Sequence, residues 1–160
     1  AAPEIIARTG WTTDELADAI GGTKLLPAYD FVSLLIGVNN QYRGRSCEEY
    51  GRQFGSLLGQ AIGFAGGKAG HVFVLSIPDW SVSPFAADRD RDVITREIDG
   101  FNAVAGELCE QHQAAFIDIT PHSRGHERTF AADGLHPSEE QDRYWARRLT
   151  EKIARQLSPQ

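Results

Sequence analysis

Residues Phe31 to Val38 read FVSLLIGV, an almost continuously apolar, β-rich run, and its reading decides the fold. A strand with one wet face alternates apolar and polar residues; a near-continuous apolar run marks a strand buried on both faces, the habit of a parallel sheet covered by helices. His71 to Ile77 (HVFVLSI) repeats the pattern, and Ala115 to Thr120 (AFIDIT) repeats it again. Glu4 to Arg8 (EIIAR) is a shorter strand-like run near the start.

Helices with readable starts lie between these runs. Thr12 with Glu15 forms a capping box ahead of Leu16, Ala17 and Ile20, and Gly21-Gly22 stops that helix. Ser46 with Glu49 opens a second helix, which carries Tyr50, Phe54, Leu57, Leu58 and Ala61 on one face and ends near Gly66-Gly67. A third helix runs from about Asp90 to His112, with Ile94, Ile98, Phe101, Ala105 and Leu108 at helical spacing. Ser138 with Gln141 opens the last, whose buried side is Trp145, Leu149 and Ile153. This alternation predicts an α/β fold of three layers, α/β/α, with a central parallel sheet and right-handed crossovers, as one domain over residues 1–160.

Composition narrows the function. With 16 basic against 22 acidic residues the net charge is -6, which disfavours nucleic acid and anionic membrane surfaces as partners. Two distant cysteines, Cys47 and Cys109, make neither a disulfide framework nor a four-thiolate metal site. No apolar run approaches the ~20 residues of a membrane span.

In open α/β sheets ligands gather beyond the carboxyl ends of the strands. The segments there are Thr9-Gly10-Trp11-Thr12, Gly37-Val38-Asn39-Asn40, the loop from Pro78 to Asp90, and Asp133-Gly134-Leu135-His136-Pro137. In the last, a carboxylate three residues before a histidine can accept the imidazole Nδ1–H and leave Nε2 to take a proton. Alone, that spacing also describes a turn aspartate and a surface histidine. Asn39 can aim its amide at a developing oxyanion, or simply serve a turn. Gly10 can bring a backbone N–H close to a substrate oxygen, or simply turn the chain.

Taken together, IIARTGWTTDEL around Gly10, IGVNN around Asn39 and DGLHPS around His136 resemble the SGNH, or GDSL-type, serine hydrolases (esterases and lipases). The resemblance covers nearly the whole chain and implies a flavodoxin-like three-layer fold. It implies an oxyanion hole from Gly10 and Asn39, Asp133 as the orienting acid and His136 as the catalytic base. The expected reaction is acyl transfer from a small-molecule ester, with neither metal nor cofactor required.

Two departures from the family pattern stand out. Asn40 occupies a position often held by Asp, and the G-D-S block with the nucleophilic serine is absent. Ser46 and Ser138 read as helix caps, Ser33 and Ser76 lie within strands, and Ser56 is in mid-helix; Ser81, Ser83 and Ser123 sit in no nucleophile-like context. In the family the serine-bearing strand lies inside the sheet, here between Glu4–Arg8 and Phe31–Val38. The expectation is therefore an N-terminal segment, absent from this chain, that supplies the first strand and completes the sheet. Without it, exposed strand-edge groups cost about 1–3 kcal/mol each.

Trp11, Tyr42, Trp80 and Phe85 are candidates to line a substrate pocket, and equally candidates to cover the core. Arg43 and Arg45 are candidates to meet a substrate anion, although solvated arginines are commoner. Two other readings compete. A metal-dependent hydrolase would draw on His112, His122, His126 and Asp118, but PHSRGHE reads as a loop, which does not put His122 and His126 on one helix face. A catalytically inactive family member acting as a ligand-binding module would account for the absent serine.

Overall fold

The structure, a computed structural model, describes residues 3–125 and 130–157. Three parallel strands, β1 (Val32–Leu34), β2 (Val72–Leu75) and β3 (Ala115–Ile117), lie in the order β1-β2-β3. Val32 stands beside Val72, and Val74 beside Phe116. The helices are α1 (Thr13–Gly21), α2 (Val38–Tyr42), α3 (Cys47–Phe64), α4 (Arg91–His112), α5 (Thr120–Gly125) and α6 (Glu139–Leu157).

The central strand separates two cores. Val72 and Val74 point into a cluster with Leu16 of α1, Phe54, Leu57 and Leu58 of α3, and Ile98 and Phe101 of α4. Phe73 and Leu75 point the other way, toward Trp145, Leu149 and Ile153 on α6. All four β2 residues are buried, so the continuous apolar run has its expected cause. The three-layer α/β/α architecture follows from this alternation.

Local signals place the helix starts. The Glu15 carboxylate accepts the Thr12 N–H at 2.8 Å, Ser46 Oγ the Glu49 N–H at 3.1 Å, and Asp90 Oδ1 the Val93 N–H at 3.1 Å. Each satisfies a backbone donor that the helix itself cannot.

The strands are shorter than their apolar runs. Glu4–Arg8 is not a strand: among the described residues it joins no β-ladder, and Ile5 is 80% exposed. A strand exists only through its ladder, and among the described residues β1 has no neighbour on its outer side. The run from Phe31 breaks at Gly37, whose φ of 132° ends extended structure and leads into α2. A Cβ there would lie 2.7 Å from the Tyr50 ring, so the approach of α3 requires a glycine. Beyond β2 and β3 the chain is held by a side chain: Ser76 Oγ accepts the N–H groups of Ile119 and Thr120 and donates to Asp118 Oδ1 at 2.9 Å. The segment expected as a loop from Pro121 begins inside α5, because Thr120–Gly125 closes a helical turn over Ser123.

Along the outer edge of β1 runs a cleft of about 460 Å³, walled by Ile6, Leu16, Ile20, Leu34, Leu57 and Phe64. Among the described residues no helix is long and apolar enough to cross a membrane.

Candidate active site

Asp133 and His136 lie on the turn between α5 and α6. Asp133 Oδ1 accepts the backbone N–H groups of Leu135 at 2.9 Å and His136 at 3.0 Å, which folds the turn. Its Oδ2 meets His136 Nδ1 at 2.6 Å. The bond to the imidazole and then the two backbone N–H groups hold the Asp133 carboxyl down at about 2. Both side chains are half exposed, leaving Nε2 open to a reactant.

The Gly10 loop and Asn39 are joined through Trp11. Asn39 stands in α2, just past the Gly37 break, and its Nδ2 donates to the Trp11 carbonyl at 3.1 Å, one residue beyond Gly10. Gly10 adopts φ 91°. Asn40, buried beside them, locks this junction: its Oδ1 accepts the Thr13 N–H at 3.0 Å and its Nδ2 donates to Thr13 Oγ1 at 2.7 Å. An amide can make this paired contact because it both donates and accepts; a carboxylate only accepts.

The arginines after α2 are committed. Arg43 donates to the Gly10 carbonyl at 2.7 Å and to Glu15 at 3.2 Å. Arg45 reaches Asp14 at 2.8 Å and Glu49 at 3.1 Å. Arg43 ties the Gly10 loop to α1, and Arg45 ties α1 to α3.

Of the aromatic candidates, Tyr42, Trp80 and Phe85 form one cluster, with ring centroids 5.5, 6.1 and 6.3 Å apart. Trp80 is only 6% exposed and forms the floor, whereas Tyr42 and Phe85 stand open at 45% and 41%. The Trp80 Nε1–H donates to Gln41 Oε1, and Gln41 Nε2 in turn donates to Glu97, each at 2.7 Å. Trp11 stands apart from this cluster, packed against the core shared by α1, α3 and α4. The Phe85 N–H donates to the Gly134 carbonyl at 3.1 Å, which moors the cluster to the turn of Asp133 and His136. The whole loop is fixed from below by Asp79. Its carboxylate accepts the Ser81 N–H, the Thr95 hydroxyl and Arg124 Nε at 2.8–3.1 Å.

Gln41, Asp79 and Glu97 carry no sequence motif; Gln41 and Asp79 follow strand ends, whereas Glu97 lies within α4. Among the described residues no serine hydroxyl hydrogen-bonds His136. Ser76, Ser81 and Ser123 are buried and bonded within the scaffold. Of the alternative metal ligands, His122 stacks on Tyr144 at 3.5 Å, Asp118 is engaged by Ser76, and His126 lies outside the described residues. Among the described residues no group of three or more His, Cys, Asp or Glu side chains is placed to hold a metal ion.

The fold is similar to that of several solved enzymes. LAE5, an alpha/beta hydrolase from the metagenome of Lake Arreo, Spain, superposes with a TM-score of 0.70 at 18% identity, over 93% of this chain and 71% of that one. Axe2, an acetylxylan esterase from Geobacillus stearothermophilus, superposes with a TM-score of 0.71 at 19% identity, over 90% of this chain and 68% of its own. Axe2 structures described as catalytic mutants replace a serine, an aspartate and a histidine, the last two three positions apart. Comparison with curated proteins gives no match. The model of the GDSL-like lipase/acylhydrolase family matches residues 2–156, nearly the full length, and the chain belongs to that family of carboxylic ester hydrolases.

Proposed function

We propose that this ester hydrolase works through a serine acyl-enzyme, on a small acyl ester, a lipid or an acetylated carbohydrate. The carrying observation is the 2.6 Å contact between Asp133 Oδ2 and His136 Nδ1, which fixes the imidazole with Nε2 outward. His136 Nε2 takes the proton of the attacking serine as its oxygen bonds to the ester carbonyl carbon, and Asp133 stabilises the imidazolium that forms. The Gly10 N–H and the Asn39 amide receive the oxyanion. His136 then protonates the departing alcohol, and water, deprotonated by the same nitrogen, releases the acid. The bond from Asn39 Nδ2 to the Trp11 carbonyl favours this role, because it sets the amide beside the Gly10 turn.

In this reading the nucleophilic serine enters on a strand that pairs with the outer edge of β1. Two features support it: among the described residues β1 is an edge strand, and the cleft beside it is largely apolar. The acetylxylan esterase activity of Axe2 is in keeping with a small acyl group on a carbohydrate.

Fluorophosphonate labelling with peptide mapping tests the mechanism. A serine adduct that forms in the protein and is lost in His136→Ala supports it. Ester hydrolysis that resists the fluorophosphonate and stops in chelator overturns it.

A further inference from the structure

Around the candidate site, three arginines have acidic partners. Arg43, Arg45 and Arg124 each meet a carboxylate at 3.2 Å or less. Arg89 meets none among the described residues, although Asp88 and Asp90 flank it in sequence; Asp90 is occupied capping α4. Its guanidinium carbon instead sits 5.2 Å from the Tyr42 ring, 5.5 Å from Trp80 and 5.3 Å from Phe85. One Nη donates to Tyr42 Oη at 3.3 Å.

Three rings hold the guanidinium by its contacts with their π systems, an attraction worth about 0.5–1 kcal/mol at an exposed site. The remaining N–H donors keep their hydrogen-bonding capacity, and a planar fork held in place loses little further freedom on meeting a carboxylate. The same cluster is tied to the catalytic turn through the Phe85 N–H and the Gly134 carbonyl, and Tyr42 follows Asn39 by three residues on α2. A positive charge held against two partly exposed aromatic side chains therefore borders the proposed place of reaction.

We propose that Arg89 is a specificity-determining residue that binds a carboxylate on the substrate, while the exposed parts of Tyr42 and Phe85 that Arg89 leaves uncovered take the ring that carries it. The substrate class is then an ester bearing both a ring and an acidic group. This assignment rests on the hydrolase reading for its meaning, but its test does not depend on turnover.

The probes are benzoate and benzamide, which share shape and differ in charge. Binding is followed by the shift of the Trp80 indole N–H resonance, an atom hydrogen-bonded to Gln41 on the floor of the cluster. Benzoate is expected to bind about tenfold more tightly than benzamide, the difference a charge-assisted bond makes. In Arg89→Gln that preference should vanish while benzamide binding stays unchanged, and Arg89→Lys should keep part of it. Equal binding of the two probes by the unaltered protein overturns the proposal. So does an Arg89→Gln variant that loses both probes alike, since Arg89 would then be only a strut for the rings. Because no ester is cleaved in this experiment, a failure of the acyl-enzyme reading would show in fluorophosphonate labelling and leave the probe contrast untouched.

Discussion

Asp133 divides its carboxylate between two tasks: Oδ1 holds the backbone N–H groups of Leu135 and His136, and Oδ2 holds His136 Nδ1 at 2.6 Å. The turn and the imidazole are thus set by the same side chain. A turn role and the proposed catalytic role, which compete when only the spacing is known, fall on different oxygens and so are compatible.

This division makes Asp133→Asn a clean substitution. The asparagine Oδ1 still accepts the two backbone N–H groups, so the thermal midpoint should move little. Its amide NH₂ faces Nδ1 and demands the wrong tautomer, so kcat/KM for ester hydrolysis should fall about 10³- to 10⁴-fold. Unchanged kinetics would remove Asp133 from the mechanism.

The same carboxylate sets a pH expectation. Its folded value is depressed to about 2, chiefly by the bond to His136, from an ordinary 3.8. Its contribution to stability is therefore complete above about 3.8 and is lost as the pH falls through about 2. Carboxyl NMR titration should find Asp133 ionised at pH 3, where an ordinary aspartic acid is mostly protonated.

Asn40→Ala tests the junction between α1 and α2. It strands the buried Thr13 N–H, while the Thr13 hydroxyl keeps its bond to Gln53, for a loss of about 1–3 kcal/mol in denaturant unfolding. Asn40→Asp should recover the contact to the N–H and the hydroxyl only by reversing the hydroxyl's role from acceptor to donor. It should therefore fall between the two.

Gly37→Ala should be among the most damaging single changes. A methyl group would stand 2.7 Å from the Tyr50 ring at a φ of 132°, combining overpacking with strain, for about 3 kcal/mol or more. Tyr50→Phe removes only the bond from Tyr50 Oη to the Ile36 carbonyl, for about 1 kcal/mol. A Gly37→Ala protein as stable as Tyr50→Phe would contradict the packing described for α3.

How much of this was legible in the sequence depends on the range of the interaction. Thr12, Ser46 and Asp90 mark helix starts because each acts within three residues of itself. The strand cores are visible at Val72–Leu75, where burial on both faces leaves a continuous apolar run. Strand ends are less visible: Glu4–Arg8 has strand-like residues and no ladder, and FVSLLIGV yields only Val32–Leu34. Residues alone do not report whether a partner strand stands alongside.

The sequence by itself determined the layered α/β plan and the order of the glycine, asparagine and aspartate–histidine blocks, since these rest on periodicity and short spacings. Only the tertiary structure decided that Arg43 and Arg45 pair with acids on α1 while Arg89 meets no carboxylate among the described residues, and that Trp80 is a floor while Tyr42 and Phe85 lie open. Those outcomes depend on side chains brought together from different strand ends. A charge's partner and a ring's exposure are properties of the packed surface, and no local run of residues contains them.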